Sequence, residues 1–289
     1  MTRPACAESH SALVALATLS ARYNDRRHDR WAPVPAQLDA AIAEDLDLAE
    51  AGRVARAPLV NELVRRFDFP AHYLDAILLV PRERFVLPED IAASADDTPL
   101  PLDRAGQATV SAPHAYLLTY SLLRLVPGDH LLELGTGTGY GAALARRILG
   151  PTGHVTSIEI DPALHERSAR LLGVRPDGVP DGDAFSCSVA PPSAEGASVT
   201  LLCGDGRALA ERVLAGAQPS ARPWKVAVTY ALTEPPRALE AQLAEGGALV
   251  APVGAWEGHQ DLMRVECRSG TLVREVHGAV RYVAERGHG

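Results

Sequence analysis

Lysine is almost missing from this chain: Lys225 is the single one, and arginine carries nearly all of the positive charge. Acids outnumber bases, the formal net charge is −8, and no basic stripe runs along the sequence. Both features argue against a nucleic-acid surface, which needs clustered positive charge to meet phosphates. Cysteine is scarce as well. The four cysteines, at positions 6, 187, 203 and 267, form no C-x-x-C and no metal-like pairing. They are expected to be free thiols of a reducing compartment, and no metal site is expected. Long apolar runs are lacking too. Ser11 to Ser20 is mildly apolar but far too short to span a bilayer, and Glu8 and His10 ahead of it make a poor signal peptide. That run is expected to be an amphipathic helix of a cytoplasmic protein with no membrane partner.

What remains is enough for a sizeable core. The chain has 289 residues, 47% of them hydrophobic, which suits a large soluble domain with an appendage. Residues 1–56 are expected to be a helical extension: Gln37 to Ala55 is rich in alanine and acids, with Leu38, Ile42, Leu46 and Leu48 at roughly helical spacing. Residues 57–289 are expected to form the main domain. It begins with two short helices, Leu59 to Phe67 and His72 to Val80, parted by Pro70. Further on, Ser111-Ala112-Pro113 has the form of a helix start, with Ser111 as N-cap and proline in the first turn.

The stretch that organises the rest is LLELGTGTGYGAALARRIL, Leu131 to Leu149. An apolar run ends in Glu133, passes through Gly135, Gly137 and Gly139, and continues as a helix-patterned segment. A strand, a glycine turn and a helix together aim backbone N–H groups at a ligand above the turn. Strands and helices then alternate: His154 to Asp161, Val199 to Cys203, Lys225 to Leu232 and Gly247 to Gly254 are expected strands with helices between most of them. The chain closes as a hairpin around Ser269-Gly270. This alternation predicts a Rossmann-like α/β fold, a doubly wound and mostly parallel sheet of about seven strands in three layers. Residues 174–197, rich in Pro, Gly, Asp and Ser, are expected to be a flexible insert remote from the chemistry.

Ligands of such sheets bind at the carboxyl ends of the strands. Glu159 ends the second strand about 20 residues past the glycines, where an acid takes the two ribose hydroxyls. Asp205, between Gly204 and Gly206 after the third strand, is placed to accept from an adenine amino group. The run Gly137 to Ala142 also fits the G-x-G-x-x-A of dinucleotide sites. Glu133 decides between cofactors: it would repel a pyrophosphate but welcome an amino group. S-adenosylmethionine has that amino group and no phosphate.

The runs VPRERFV, PLPLDRAGQATVSAPH, LLELGTGTGYGAALA, IEID, GDGR and GGALVAPVG…HQDL occur in one order over residues 57–284. Together they resemble the protein-L-isoaspartate O-methyltransferase family. The resemblance implies methylation of the carboxylate of isoaspartyl or D-aspartyl residues in proteins or peptides, with S-adenosyl-L-methionine as donor. It makes Ser111 the catalytic residue. It places Thr109, Val110, Ser111, His114, Glu133, Gly135, Thr136, Gly137, Glu159, Ile160, Asp205, Gly206 and Gln260 at the cofactor. The chain departs from the family pattern at Trp224-Lys225, at Tyr230 and Leu232, and at Ala284-Glu285. The bulk of Trp224, Tyr230 and Leu232 is expected to narrow the peptide site. Two alternatives therefore stand beside repair: a dedicated enzyme maturing one peptide through an aspartimide, and a cofactor-binding module without turnover. Oligomeric state is left open.

Overall fold

A computed structural model describes residues 5–24, 29–45, 49–176, 187–194, 196–216 and 222–287. The chain divides into two compact units, 1–118 and 119–289. Among the described residues, no helix is long and apolar enough to cross a membrane.

The first unit is helical. It comprises α1 (Ala5–Asn24), α2 (Ala36–Asp45), α3 (Ala49–Arg66) and α4 (Ala71–Leu79), followed by short 3-10 turns. A minimal antiparallel pair, β1 (Leu100–Pro101) and β2 (Thr109–Val110), leads into α5 (Pro113–Leu123). Leu16, Tyr23, Leu59, Leu63, Tyr73, Ile77 and Ile91 are buried in this unit.

The expected domain boundary at 56/57 falls inside α3. Pro58 removes one helical N–H, yet Ala55, Leu59 and Leu63 bury one continuous face, and that burial carries the helix through the proline. Arg56 is also buried, and its guanidinium pairs with Glu83 at 2.5 Å. The residue that closes the predicted extension is thus part of the core beside it. Gln37 to Ala55 spans parts of two helices, α2 and α3; residues 46–48 lie outside the described residues.

The second unit is built on one sheet. In chain order it contains β3 (His130–Leu134), α6 (Tyr140–Leu149), β4 (His154–Glu159), α7 (Pro162–Leu172), β5 (Arg175–Pro176), β6 (Cys187–Ala190), β7 (Ser198–Cys203) and α8 (Gly206–Ala215). Then come β8 (Trp224–Val228), α9 (Arg237–Glu240), β9 (Ala248–Gly254), β10 (Gln260–Arg268) and β11 (Thr271–Val280). The strand order is β11-β10-β9-β8-β3-β4-β7-β6-β5. β8, β3, β4 and β7 run parallel, as do β8 and β9, while the hairpin β10–β11 is antiparallel. Seven strands match the expected Rossmann-like sheet, and β5 and β6 extend it.

Those two strands come from the predicted insert. Residues 187–190 pair antiparallel with β7, so this part of 174–197 is sheet and not flexible loop. Residues 177–186 and 195 lie outside the described residues. A β-branched residue with small neighbours (Cys187 to Ala190) is enough to add a strand once β7 offers an unpaired edge.

The chain goes from β3 outward through β4 to β7, then returns to β8 on the other side of β3. That reversal beside β3 is a topological switch point, and the crevice it opens lies at the carboxyl ends of the strands. Leu132 and Leu134 of β3, Ile158 of β4, Val226 and Val228 of β8 and Leu249 of β9 form the core beneath it.

Candidate functional site

The glycine loop between β3 and α6 is folded by its own backbone. Gly135, Gly137 and Gly139 all have positive φ, at 97°, 57° and 93°, a region that side chains disfavour. Space makes the same demand at Gly135, where a Cβ would lie 2.3 Å from Thr229 Oγ1. The loop's N–H groups, however, do not all face a ligand. Gly135 and Thr136 donate to Ile158 O at 2.8 and 3.1 Å, Gly139 donates to Thr136 O at 2.9 Å, and Gly137 donates to Glu159 Oε2 at 2.7 Å. The expected set of unpaired donors is therefore largely committed inside the protein. A phosphate needs such donors; an adenosine bearing a sulfonium does not.

Glu159 is the acid of this edge. It is buried, and each oxygen takes one backbone donor: Oε2 from Gly137 and Oε1 from Asp161 at 3.0 Å. A carboxylate has about four acceptor positions, so one on each oxygen remains for a ribose hydroxyl. Burial pushes its pKa upward. Glu133 lies beneath the loop and accepts from Ser157 Oγ at 2.7 Å, and Ser157 in turn meets Thr136 Oγ1 at 2.7 Å. Burial, with Glu159 nearby, raises the Glu133 carboxyl to about 7. Among the described residues neither acid has a cation within ion-pair distance. Two buried acids with no ion-pair partner among the described residues, Glu133 beneath a loop short of free donors and Glu159 beside it, fit a cationic, hydroxyl-bearing ligand such as S-adenosylmethionine. Glu133 and the committed loop donors speak against a pyrophosphate.

Asp205 begins α8, where its Oδ1 accepts from Ala208 N at 2.8 Å and caps the helix. Gly206 follows it, facing Tyr230 so closely that a Cβ would lie 2.6 Å from the phenol oxygen. Ile160 follows Glu159 at the end of β4. Glu133, Gly135, Thr136, Gly137, Glu159, Ile160, Asp205 and Gly206 thus all lie at or beneath the carboxyl edge of β3, β4 and β7. Gln260 does something else. Its Oε1 accepts from Tyr282 N at 2.7 Å and its Nε2 donates to Tyr282 O at 3.1 Å, so its amide holds the end of the chain.

Thr109, Val110, Ser111 and His114 belong to the first unit. Ser111 is not the N-cap of α5: the helix starts at Pro113, and the N–H of His114 goes to Asp97 Oδ1 at 3.0 Å. Asp97 also holds the His114 ring, with Nδ1 2.9 Å from each carboxylate oxygen. Asp97 stands 17 positions away, and no local pattern points to it. The Ser111 hydroxyl makes no hydrogen bond among the described residues. Its backbone is pinned by Arg82, whose fully buried guanidinium donates to the carbonyls of Ser94, Asp96, Thr98 and Ser111. The arginine was visible in VPRERF, but its task was not.

The departures from the family pattern separate in space. Trp224 opens β8 opposite His130 and packs on His130 and His154, at the amino ends of the strands, where it cannot narrow a site at the carboxyl edge. Leu232 is buried in the core. Of the three bulky departures, Tyr230 is the one that faces the edge, lying against Gly135 and Gly206.

Two measurements probe this edge. Glu159→Ala should weaken S-adenosylmethionine binding by about 1.5–3 kcal/mol, the cost of losing a charged hydrogen-bond partner; unchanged affinity by calorimetry would remove the ribose assignment. Glu133 should make stability pH-dependent in the protein without ligand. Below its ordinary pKa of 4.5 both folded and unfolded chains hold the proton. Between 4.5 and about 7 only the folded chain keeps it, so stability falls as pH rises through that window. A rise from 4.5 to about 7, at 1.36 kcal/mol per pH unit, caps the loss at about 3 kcal/mol. Urea midpoints at both ends of the window should fall less for Glu133→Gln than for wild type, and parallel curves would count against a protonated Glu133.

The profile of the family described as Protein-L-isoaspartate(D-aspartate) O-methyltransferase matches residues 58–288. A protein-L-isoaspartate O-methyltransferase from Ignicoccus hospitalis is 39% identical over 192 residues, covering 66% of this chain and 77% of the relative. Protein-L-isoaspartate O-methyltransferase 2 from Archaeoglobus fulgidus is 36% identical over 234 residues, covering 80% and 93%. A solved protein-L-isoaspartate O-methyltransferase superposes with a TM-score of 0.62 at 24% identity, covering 80% of this chain and 66% of that one, which speaks for the fold.

Proposed function

Because this chain belongs to the protein-L-isoaspartate(D-aspartate) O-methyltransferase family, we propose that it methylates the carboxylate of isoaspartyl or D-aspartyl residues in damaged proteins and peptides. The carrying observation is the carboxyl edge itself: Glu159, buried and bonded to Gly137 and Asp161, with lone pairs left for two ribose hydroxyls beside a loop that has few donors for phosphate. S-adenosylmethionine, the family's cofactor, supplies a methyl group on an electrophilic sulfonium when bound. Glu159 would hold the ribose and Asp205 the adenine amino group. Glu133, through Ser157 and Thr136, fixes the loop over which the methionyl portion would lie.

The attacking carboxylate is already ionised at neutral pH, so no base is required. Ser111, by its match to the family's catalytic serine, would donate to one carboxylate oxygen and orient the other for attack. The bound donor would supply the methyl group, a C–O bond forming as the S–CH3 bond breaks and the sulfur becomes neutral. Aligning oxygen, carbon and sulfur can supply about 7–11 kcal/mol of the barrier. The ester is a better electrophile than the acid. The next backbone nitrogen can close on it, expelling methanol and giving a succinimide, which hydrolyses partly to normal aspartate. A cytoplasmic setting belongs to the same proposal, supported by the free thiols Cys203 and Cys267.

The test is transfer of label from methyl-labelled donor to an isoaspartyl peptide. Base-labile label on the peptide is expected, and no transfer to any carboxylate would overturn the proposal.

A further inference from the structure

Ala284-Glu285, one of the departures from the family pattern, lies in a late segment that runs along the cofactor edge. Gln260 grips its start through both atoms of the Tyr282 peptide at 2.7 and 3.1 Å. Ala231, just past β8, donates to Val283 O at 2.7 Å and accepts from Glu285 N at 3.2 Å. The Glu285 carboxylate then takes Arg207, next to Gly206, in a two-point pair at 2.6 and 2.5 Å. Arg286 reaches Asp161, beyond β4, at 3.4 Å. Gly287 sits so close to Ile160 that a Cβ on it would lie 2.5 Å from the Ile160 Cδ1 and 3.7 Å from Asp205 Oδ2.

Residues 281–287 therefore touch the loops after β8, β7 and β4 in turn. These loops carry Tyr230, Asp205-Gly206 and Ile160. The segment is anchored at its start, where the Tyr282 phenol is buried and hydrogen-bonds with Thr119; beyond it, Val283 to Arg286 are half-buried and Gly287 is exposed. Beyond Tyr282 it is held by backbone hydrogen bonds and two ion pairs, and a segment held that way opens at low cost compared with a core strand. Of its ties, the Arg207–Glu285 pair has the best geometry. It is bidentate, and the two side chains are 24% and 12% exposed, so solvent screens it only in part.

We propose that residues 281–287 are a strap across the adenosine end of the cofactor site, and that the Arg207–Glu285 pair is its catch. The strap then sets how fast S-adenosylmethionine and its demethylated product leave. The proposal rests on the cofactor lying along Glu159 and Asp205.

The experiment follows dissociation of S-adenosylhomocysteine from the full chain, chased with excess S-adenosylmethionine in a stopped-flow instrument. Glu285→Ala and Arg207→Ala should each speed release by about tenfold, and the swap Arg207→Glu with Glu285→Arg should return it to within about threefold of wild type. Single variants that release within about twofold of wild type would overturn the strap. Should a single variant fail to fold, wild type alone decides. Raising salt from about 0.05 M to about 0.5 M should speed release through screening of the pair, and a flat rate would overturn the proposal. Glu159→Ala separates the two levels. If it leaves affinity unchanged, the cofactor is not on this edge; if it weakens affinity while strap variants behave as wild type, the strap alone is wrong.

Discussion

Ser111→Ala should lower turnover by about two orders of magnitude while cofactor affinity and melting temperature stay close to wild type. The structure sharpens this expectation by removing the competing role. A helix cap lost to alanine costs about 0.5–2 kcal/mol, but Asp97, not Ser111, takes the N–H of His114. Arg82 holds the Ser111 carbonyl at 3.2 Å and Tyr116 accommodates the Ser111 N–H at 3.3 Å, so the backbone that carries the hydroxyl does not depend on it. Deleting the hydroxyl leaves that backbone in place and removes only the group proposed to orient the attacking carboxylate. Misplacing a reacting atom by about 1 Å can cost about a hundredfold in rate. Steady-state kinetics on an isoaspartyl peptide, with a thermal melt of the same preparation, checks both halves. Normal turnover in the alanine variant would take Ser111 out of the chemistry. Asp97→Asn should show the opposite pattern, with lowered stability, because the helix start and the His114 ring share that carboxylate.

What could be seen in advance was what local pattern encodes. Three glycines between an apolar run and a helical run reveal a strand–turn–helix unit, because turn chemistry and periodicity are properties of neighbours. The positions of Glu159 and Asp205 at the ends of strands are legible in the same way. Three features escaped because they depend on distant partners. The continuity of α3 through Pro58 is decided by the face it buries, not by the proline. The strand at Cys187–Ala190 exists because β7 offers an edge. The position of Trp224 at the amino end of β8 follows from register with β3, which turns an apparent obstacle in the peptide site into packing on His130 and His154. The strap is the clearest case. Glu285 and Arg207 are 78 positions apart, and a charge in a terminal segment carries no sign of its partner.

Paired peptides that differ only in aspartyl or isoaspartyl linkage should be separated by this enzyme by about a hundredfold or more in kcat/KM, with the isoaspartyl member preferred in several unrelated sequences. An isoaspartyl residue inserts a methylene into the main chain and turns its free carboxylate into the α-carboxylate. A hydroxyl placed for that carboxylate leaves the side-chain carboxylate of ordinary aspartate displaced by about one bond length, enough for a hundredfold loss by misalignment alone. Breadth across sequences is the second half of the expectation. The bulk at Trp224 and Leu232, which argued for a narrow site, is now located at the amino ends of the strands and in the core. Tyr230 alone remains on the carboxyl edge, and it lies against Gly135 and Gly206 on the cofactor side. A site not narrowed by these residues should tolerate varied flanking side chains and discriminate through the backbone linkage. Tyr230→Ala should then change cofactor affinity more than it changes the ranking of peptides. A preference for ordinary aspartate confined to one sequence would overturn the repair reading.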